Sequence, residues 1–288
     1  MSVFVESIGF GLVTSAVLAV ASVGFTLQFA VTNVLNLAYG GVMVVSAYAA
    51  YVVNQRGVSV WISALAGIAA GALLSVILNN LIYTPFQRKG TSSIGMVIVS
   101  LGMTLILVFG TQAIAGPTNV SYTASQGATV TPLGLNLTVV QLVIIALSIV
   151  VMLGVHVLIR YTRLGKAMRA TAANRNLARN CGIRTAHVVT ITWLISGALC
   201  GLAGVVFALD SGTFGATSTD LFLVLILAAV FLGGPGEPYG AMLGALVIGL
   251  ATEVSASIIV PDYKDVVAFL ILIAMLALRP SGLLGAPA

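Results

Sequence analysis

Charge is what this sequence has least of. It holds 12 Lys and Arg and 7 Asp and Glu in 288 residues, so charged side chains make up 7% of the chain, where a soluble domain carries roughly 25%. Too few polar groups remain to clothe a water-exposed surface, which excludes an ordinary soluble domain; a surface facing lipid needs none. Cysteine is scarce as well. Cys181 and Cys200 are the whole complement, which excludes a disulfide framework, and no Cys/His cluster has metal-ligand spacing, so no metal site is expected. His156 and His187 are the only imidazoles, and neither has an acid or nucleophile partner in sequence, which argues against an intramembrane enzyme. The phosphate-cradling pattern G-x-x-x-x-G-K-[ST] is missing too. Gly165-Lys166-Ala167 is the only Gly-Lys pair, and it fails that pattern. No catalytic residue, no cofactor on this chain and no nucleic-acid partner are expected. The opening MSVFVESIGFGLVTS lacks a basic segment and a small-residue cleavage site, so the first apolar stretch reads as a permanent helix.

What is there is apolar: 59% hydrophobic residues and a mean hydropathy of +1.14. A membrane-spanning helix needs about 20 mostly apolar residues. The pattern predicts helices at 8–31, 41–54, 58–84, 93–115, 137–159, 186–209, 220–233, 239–258 and 264–279. The second and seventh are short for full spans and read as tilted, re-entrant or broken. The expected fold is an all-α, polytopic transmembrane bundle of eight to ten crossings, one domain over residues 1–288. Gly is abundant, at 31 residues, and Gly67/Gly71, Gly197/Gly201 and Gly240/Gly244 form small-xxx-small pairs that suit close helix packing.

Lys and Arg in the loops set orientation. The 160–185 segment carries Arg160, Arg163, Lys166, Arg169, Arg175, Arg179 and Arg184 and no acid, so it is expected in the cytoplasm. Arg88, Lys89 and Arg279 fall on the same side if helices alternate. Glu6, the 116–136 loop, Asp210, Asp220 and the turn with Asp262, Lys264 and Asp265 fall on the other, and only Arg56 is out of place. Nine crossings result, with the N-terminus outside and the C-terminus inside. An internal echo accompanies them: Tyr39-Gly40-Gly41-Val42-Met43 and Tyr239-Gly240-Ala241-Met242 each open a segment running in the same direction. It is either a repeat of the kind transporters carry or chance likeness between Gly-rich stretches.

The basic segment is too long for a tight turn. Ala167, Ala170, Leu177 and Ala178 give an apolar face ringed by arginines, and Gly182 suits a left-handed cap. One or two short amphipathic helices are expected, which either dock another protein or anchor to anionic lipid. The small residues favour docking. On the substrate side, Gly40 and the 233–240 turn, with Gly234 and Gly236, are either exposed backbone N–H groups for a substrate carboxylate or ordinary turns. Glu253 is the clearest ionisable residue within a helix, placed near the outer end as a solvated terminus. Asn33, Asn36 and Gln28 line a path or cap a broken helix.

Several blocks resemble one family. Arg160-Tyr161-Thr162, Gly165, Ala167, Arg169-Ala170, Ala178 and Gly182-Ile183 are similar to the cytoplasmic coupling loop of permeases of branched-chain amino acid (LIV-type) ABC importers, in their LivH-like branch. The wider E-A-A-x-x-x-G signature is degenerate, with Asn176 and Leu177 in place of Glu and the first Ala. Asn33 to Gly40 resembles the family's N-x-x-N-F-A-H-G, with Tyr39 for His and Gly41 for the acid that follows. The blocks at 195–204, 233–244, 263–267 and 278–285 resemble the family in the same order.

That resemblance implies an ABC type II-like importer permease in a bacterial inner membrane. It implies a second, LivM-like permease, two cytoplasmic ATPases that carry the ATP and Mg2+, and an extracytoplasmic substrate-binding protein. Arg163, Gly165, Ala167, Arg169, Ala178, Gly182 and Ile183 would meet the ATPases. Asn33, Asn36, Tyr39, Gly40, Gly234, Gly236 and Glu253 are the candidates along the substrate path. Branched-chain amino acids are the implied cargo; other amino acids, amides, urea and small aromatic acids remain open. The alternative is an ion-coupled secondary transporter of small hydrophobic solutes, against which the scarcity of buried acids argues.

Overall fold

The computed structural model describes residues 3–123, 129–130, 136–257, 263–278 and 282–285. Asp262, Arg279 and parts of the 116–136 loop lie outside them. The helices are α1 (Val3–Thr32), α2 (Tyr39–Asn54), α3 (Val60–Leu78), α4 (Thr84–Arg88), α5 (Ser93–Ala115), α6 (Val139–Tyr161), α7 (Arg163–Ala173), α8 (Arg175–Asn180), α9 (Thr185–Ser211), α10 (Thr219–Gly233), α11 (Pro238–Ala256) and α12 (Lys264–Leu278). A two-residue ladder, β1 (Thr129–Val130) with β2 (Leu137–Thr138), precedes α6.

Six of these helical stretches are long and apolar enough to cross a membrane, and α2, α10 and most of α12 are shorter apolar helices. Each of the nine stretches expected from hydropathy is therefore helical over most of its described residues; Leu137 and Thr138 form β2 instead, and two boundaries extend furthest beyond the expected ones. α1 starts before its apolar run, because Glu6 in its first turn suits the positive end of the helix and accepts a hydrogen bond from Asn136 Nδ2 at 2.8 Å. α3 continues through a wide π turn at Asn79–Tyr83 into α4. Pro85 lacks an N–H, and the wide turn lies just where its ring would disturb the regular i→i−4 ladder.

Burial separates a core from a rim. In the most apolar window of α1, 78% of residues are buried, and 72% in that of α9, against 22% in α5 and in α6. Ile98, Leu105, Ile106, Val150 and Leu153 of the rim are each at least half exposed. A soluble protein rarely leaves so much apolar surface uncovered; here it faces lipid, and the chain is a multi-pass membrane protein. The glycine pairs close the core. Gly67 and Gly71 of α3 pack on Gly197 and Gly201 of α9, and a Cβ at Gly197 would run into the Gly71 carbonyl oxygen. The two pairs are each other's partners, as small residues permit when backbones meet.

Polar groups sort to two ends. Glu6 with Asn136, Asp210 with Gln141, and Glu253 with Lys264 mark an acidic end. There Val120 and Phe214 exchange two backbone hydrogen bonds of 2.9 Å, and Phe214 sits among Tyr48, Tyr51 and Tyr122. Burial pushes the Tyr122 phenol up, so it stays a donor, to the Ala47 carbonyl at 2.9 Å. α7 and α8 lie at the opposite, basic end. The two echoed segments both abut α10, through Gly40 and Gly240, but their tyrosines differ. Tyr39 is buried, whereas Tyr239 is exposed and its hydroxyl meets His156 Nδ1 at 2.9 Å.

Candidate translocation path and coupling surface

The first helix break lies inside the bundle. Residues 33–38 join α1 to α2, and Val34, Asn36 and Ala38 among them are buried. Asn33 ends α1 in the left-handed region, φ 54°, which Asn tolerates better than most residues. The Tyr39 hydroxyl reaches the carbonyl of Ala21, well inside α1, at 3.0 Å. Cys200, midway along α9, bonds the Tyr39 carbonyl at 3.2 Å. So α2 begins near mid-bundle rather than at its edge. Irregular backbone at that depth must find protein partners, and it does. Ser100 of α5 donates to the Leu35 carbonyl at 3.2 Å, and Thr219, the first residue of α10, donates to the Gly40 carbonyl at 3.0 Å.

Beside this break lies a buried polar hub. Gln28 Oε1 accepts from Asn36 Nδ2 at 3.4 Å and from Ser196 Oγ at 3.3 Å, and Tyr83 donates to Asn36 Oδ1 at 2.6 Å. The Tyr83 ring lies against Trp193, centroids 4.9 Å apart. Gln28 Nε2 and Trp193 Nε1 are buried donors with no hydrogen-bond partner among the described residues. Such groups cost free energy in a low-dielectric core. The wide turn that delivers Tyr83 and the left-handed Asn33 adjoin the same hub, and departures of this kind concentrate at functional sites.

Each end of the bundle has a cavity. The one at the acidic end, about 450 Å3, is lined by Thr14, Gln141, Asp210, Phe222 and Glu253 among others. Glu253 is no freely solvated helix terminus. Its Oε1 takes Lys264 Nζ at 2.9 Å and the Thr14 hydroxyl at 3.2 Å, and its side chain is 16% exposed. The cavity at the basic end, about 530 Å3, has three walls: the end of α1 with Asn33, the turn with Gly236, and the α7–α8 junction around Asn174. Asn33 and Gly236 thus meet across a space, while Asn36, Tyr39 and Gly40 are packed in the core. Gly234 is buried beside Gly282, and the Leu283 and Leu284 amides cap the α10 carbonyls of Leu232 and Gly233.

The basic segment forms two helices, each capped at its start. Thr162 Oγ1 accepts from the Gly165 amide and Asn174 Oδ1 from the Leu177 amide, both at 3.0 Å. Gly182, φ 84°, closes α8. Its amide bonds the Arg179 carbonyl and the Ile183 amide the Ala178 carbonyl, both at 3.0 Å, the paired bonds of a glycine-ended helix. The small residues turn inward. A Cβ on Gly165 would strike the carbonyls of Leu158 and Ile159, Met168 and Ala178 are buried, and Ala167 and Ile183 pack partly against the core. Arg169 Nη1 caps α6 through the Ile159 carbonyl at 3.0 Å. Arg163, Leu177 and Arg179 face outward, and Arg175 borders the basic-end cavity. The expectation that the small-residue face docks another protein is corrected: Gly165, Ala167 and Ala178 pack on this chain's own bundle, and Leu177, assigned to the same face, is exposed. Tyr83, Trp193, Ser196 and Thr219 carried no local signal, because their partners lie on helices distant in sequence; the Asn79-Asn80 pair ahead of Pro85 was the one hint of the wide turn.

Broken helices that meet at mid-bundle, with a cavity at each end, are features that transporters carry, and the class is that of a polytopic transport permease. The chain belongs to the family described as branched-chain amino acid transport system, permease component, whose family model matches residues 7–276. It is 27% identical over 300 residues to the high-affinity branched-chain amino acid transport system permease protein LivH of Escherichia coli (strain K12), covering 99% of this chain and 96% of that one. It is 28% identical to the corresponding BraD protein of Pseudomonas aeruginosa, covering 96% and 94%. Among solved structures, a chain of PsaBC from Streptococcus pneumoniae, in complex with Fab, shares the fold. Its TM-score is 0.53 at 13% identity, with 94% of this chain and 91% of that chain covered.

Proposed function

We propose that this chain forms half of the membrane path of an ABC importer that carries branched-chain amino acids inward, using ATP hydrolysed on partner subunits. The other half is a second, LivM-like permease. Two ATPases holding ATP and Mg2+ grip the basic end in the cytoplasm, and a substrate-binding protein delivers cargo to the acidic end. The N-terminus then lies outside a bacterial inner membrane and the C-terminus inside, as the loop arginines require.

One observation carries this reading. The α7–α8 junction forms a wall of the same cavity as Asn33 and Gly236. Arg175 borders that cavity, the outward face carries Leu177 and Arg179, and Gly165 and the Arg169 cap bind α7 to the end of α6. A motor that shifts α8 therefore moves a wall of the path. Interfaces with two packed arrangements turn small shifts into switches, and the helix break at 33–38 adjoins this wall through Asn33. Gly165, Ala167, Ala178, Gly182 and Ile183 set the shape of the lever, Arg169 fixes it to α6, and Arg163 lies on its outward face.

The test is leucine uptake into proteoliposomes holding the complete transporter with its binding protein. Uptake that requires ATP and is lost in L177D/R179E, with assembly of the two permeases intact, supports the reading. Uptake driven by an ion gradient without ATP contradicts it and favours a secondary transporter.

A further inference from the structure

The acidic-end cavity holds a charge arrangement that helix packing does not require. Three ionisable side chains line it: Asp210 at the end of α9, Glu253 on α11 and Lys264 opening α12. Glu253 and Lys264 form an ion pair of 2.9 Å. Asp210 accepts a hydrogen bond from Gln141 Nε2 at 3.3 Å and makes no ion pair among the described residues. Two carboxylates on the wall thus share one lysine, which is in direct contact with Glu253. Facing this polar wall are the apolar side chains of Phe222 and Leu225. The volume, about 450 Å3, falls within the roughly 300–1,000 Å3 usual for small-molecule sites, which pair apolar walls with a few converging polar groups.

A carboxylate beside an apolar wall is complemented by an ammonium joined to an apolar group. A simple carboxylate ligand meets two acids and one lysine, an unfavourable balance. We infer that this cavity is an outer docking site for the cargo, in which Asp210 takes the α-ammonium and Phe222 and Leu225 take the side chain. The inference rests on the amino-acid importer reading and adds the atom by which the cargo is held.

The test uses the transporter assembled with its partner permease and ATPases in phosphatidylcholine nanodiscs, without the binding protein, which would itself take up ligand. Calorimetric binding of leucine, leucinamide and 4-methylpentanoate is compared. Leucine and leucinamide are expected to bind, 4-methylpentanoate at least ten-fold more weakly. D210N should weaken leucine at least ten-fold and D210E less, while D220N, at an exposed acid outside the cavity, should leave binding unchanged. Equal binding by D210N and wild type, 4-methylpentanoate binding as tightly as leucine, or no binding of leucine overturns the assignment. Loss of leucine binding in phosphatidylethanolamine nanodiscs overturns it in favour of a lipid amine. ATP-driven uptake is measured in parallel: intact uptake with an indifferent D210N sinks this inference alone, whereas absence of ATP-driven amino acid uptake by the wild type sinks the importer reading.

Discussion

Thr219, the first residue of α10, donates a 3.0 Å hydrogen bond to the carbonyl of Gly40, near the start of α2. Two short helices thus meet N-terminus to N-terminus in the middle of the bundle. Water cannot replace this bond at membrane depth. T219V is expected to lower thermal stability by about 1 kcal/mol, while T219S, which keeps the hydroxyl, stays near wild type. Transport by T219V should fall further than its stability, because the joint itself is altered. Unfolding in detergent and uptake in liposomes measure the two effects.

The hub beside that joint makes two contrasting predictions. Y83F removes the donor to Asn36 Oδ1 and leaves a buried acceptor bare, a loss of about 1–3 kcal/mol. W193F removes an indole N–H that has no hydrogen-bond partner among the described residues and keeps an aromatic ring against Tyr83, so it forfeits no hydrogen bond and its loss, from the smaller ring alone, should be less than that of Y83F. Thermal denaturation of the two variants checks the contrast. Equal losses would mean that the indole N–H makes a buried hydrogen bond in the assembled protein.

Glycine-to-alanine exchanges should split in two. G197A forces a Cβ toward the Gly71 carbonyl and the Ser75 side chain, and overpacking of this kind costs about 1–3 kcal/mol. G102A, in α5, meets nothing within 4 Å and should gain up to about 1 kcal/mol from helix propensity. Melting temperatures of the two variants decide it.

These residues also mark where the sequence was legible and where it was not. Hydropathy located all nine apolar helices, since burial in lipid acts on composition. The shortness of α2 and α10 announced a break, and Asn33, Asn36 and Gly40 were recognisable around it as polar or flexible residues where an apolar helix ends. The direction of the α7–α8 stripe was misjudged: its small residues suggested docking to another protein, and they meet this chain's own helices instead. A helical wheel shows that Gly165, Ala167 and Ala178 differ from the arginines, but tertiary packing decides which side meets the bundle. The pairing of Gly67/Gly71 with Gly197/Gly201 was half legible, as two motifs without their mutual contact. The hub and the Asp210 cavity join residues more than a hundred positions apart, and no local pattern encodes such meetings.

The inward direction of the stripe separates two classes of lever mutant. A178E places a charge at a buried position and should reduce the amount of folded protein, because an unpaired buried charge is costly. L177D changes an exposed side chain, so it should leave folding intact and abolish stimulation of the ATPases. Size-exclusion profiles read the first effect and ATPase assays of the assembled transporter the second.

The lever's side of the membrane is the most direct test of the whole account, and the protein carries its own reporter. Cys181 is exposed at the end of α8 and Cys200 is buried, so a membrane-impermeant maleimide should label the wild type at one position. Labelling is expected in inside-out vesicles, absent in intact spheroplasts, lost in C181S and reduced when the ATPases are bound. Labelling of Cys181 from outside intact spheroplasts would contradict both the orientation and the proposed coupling.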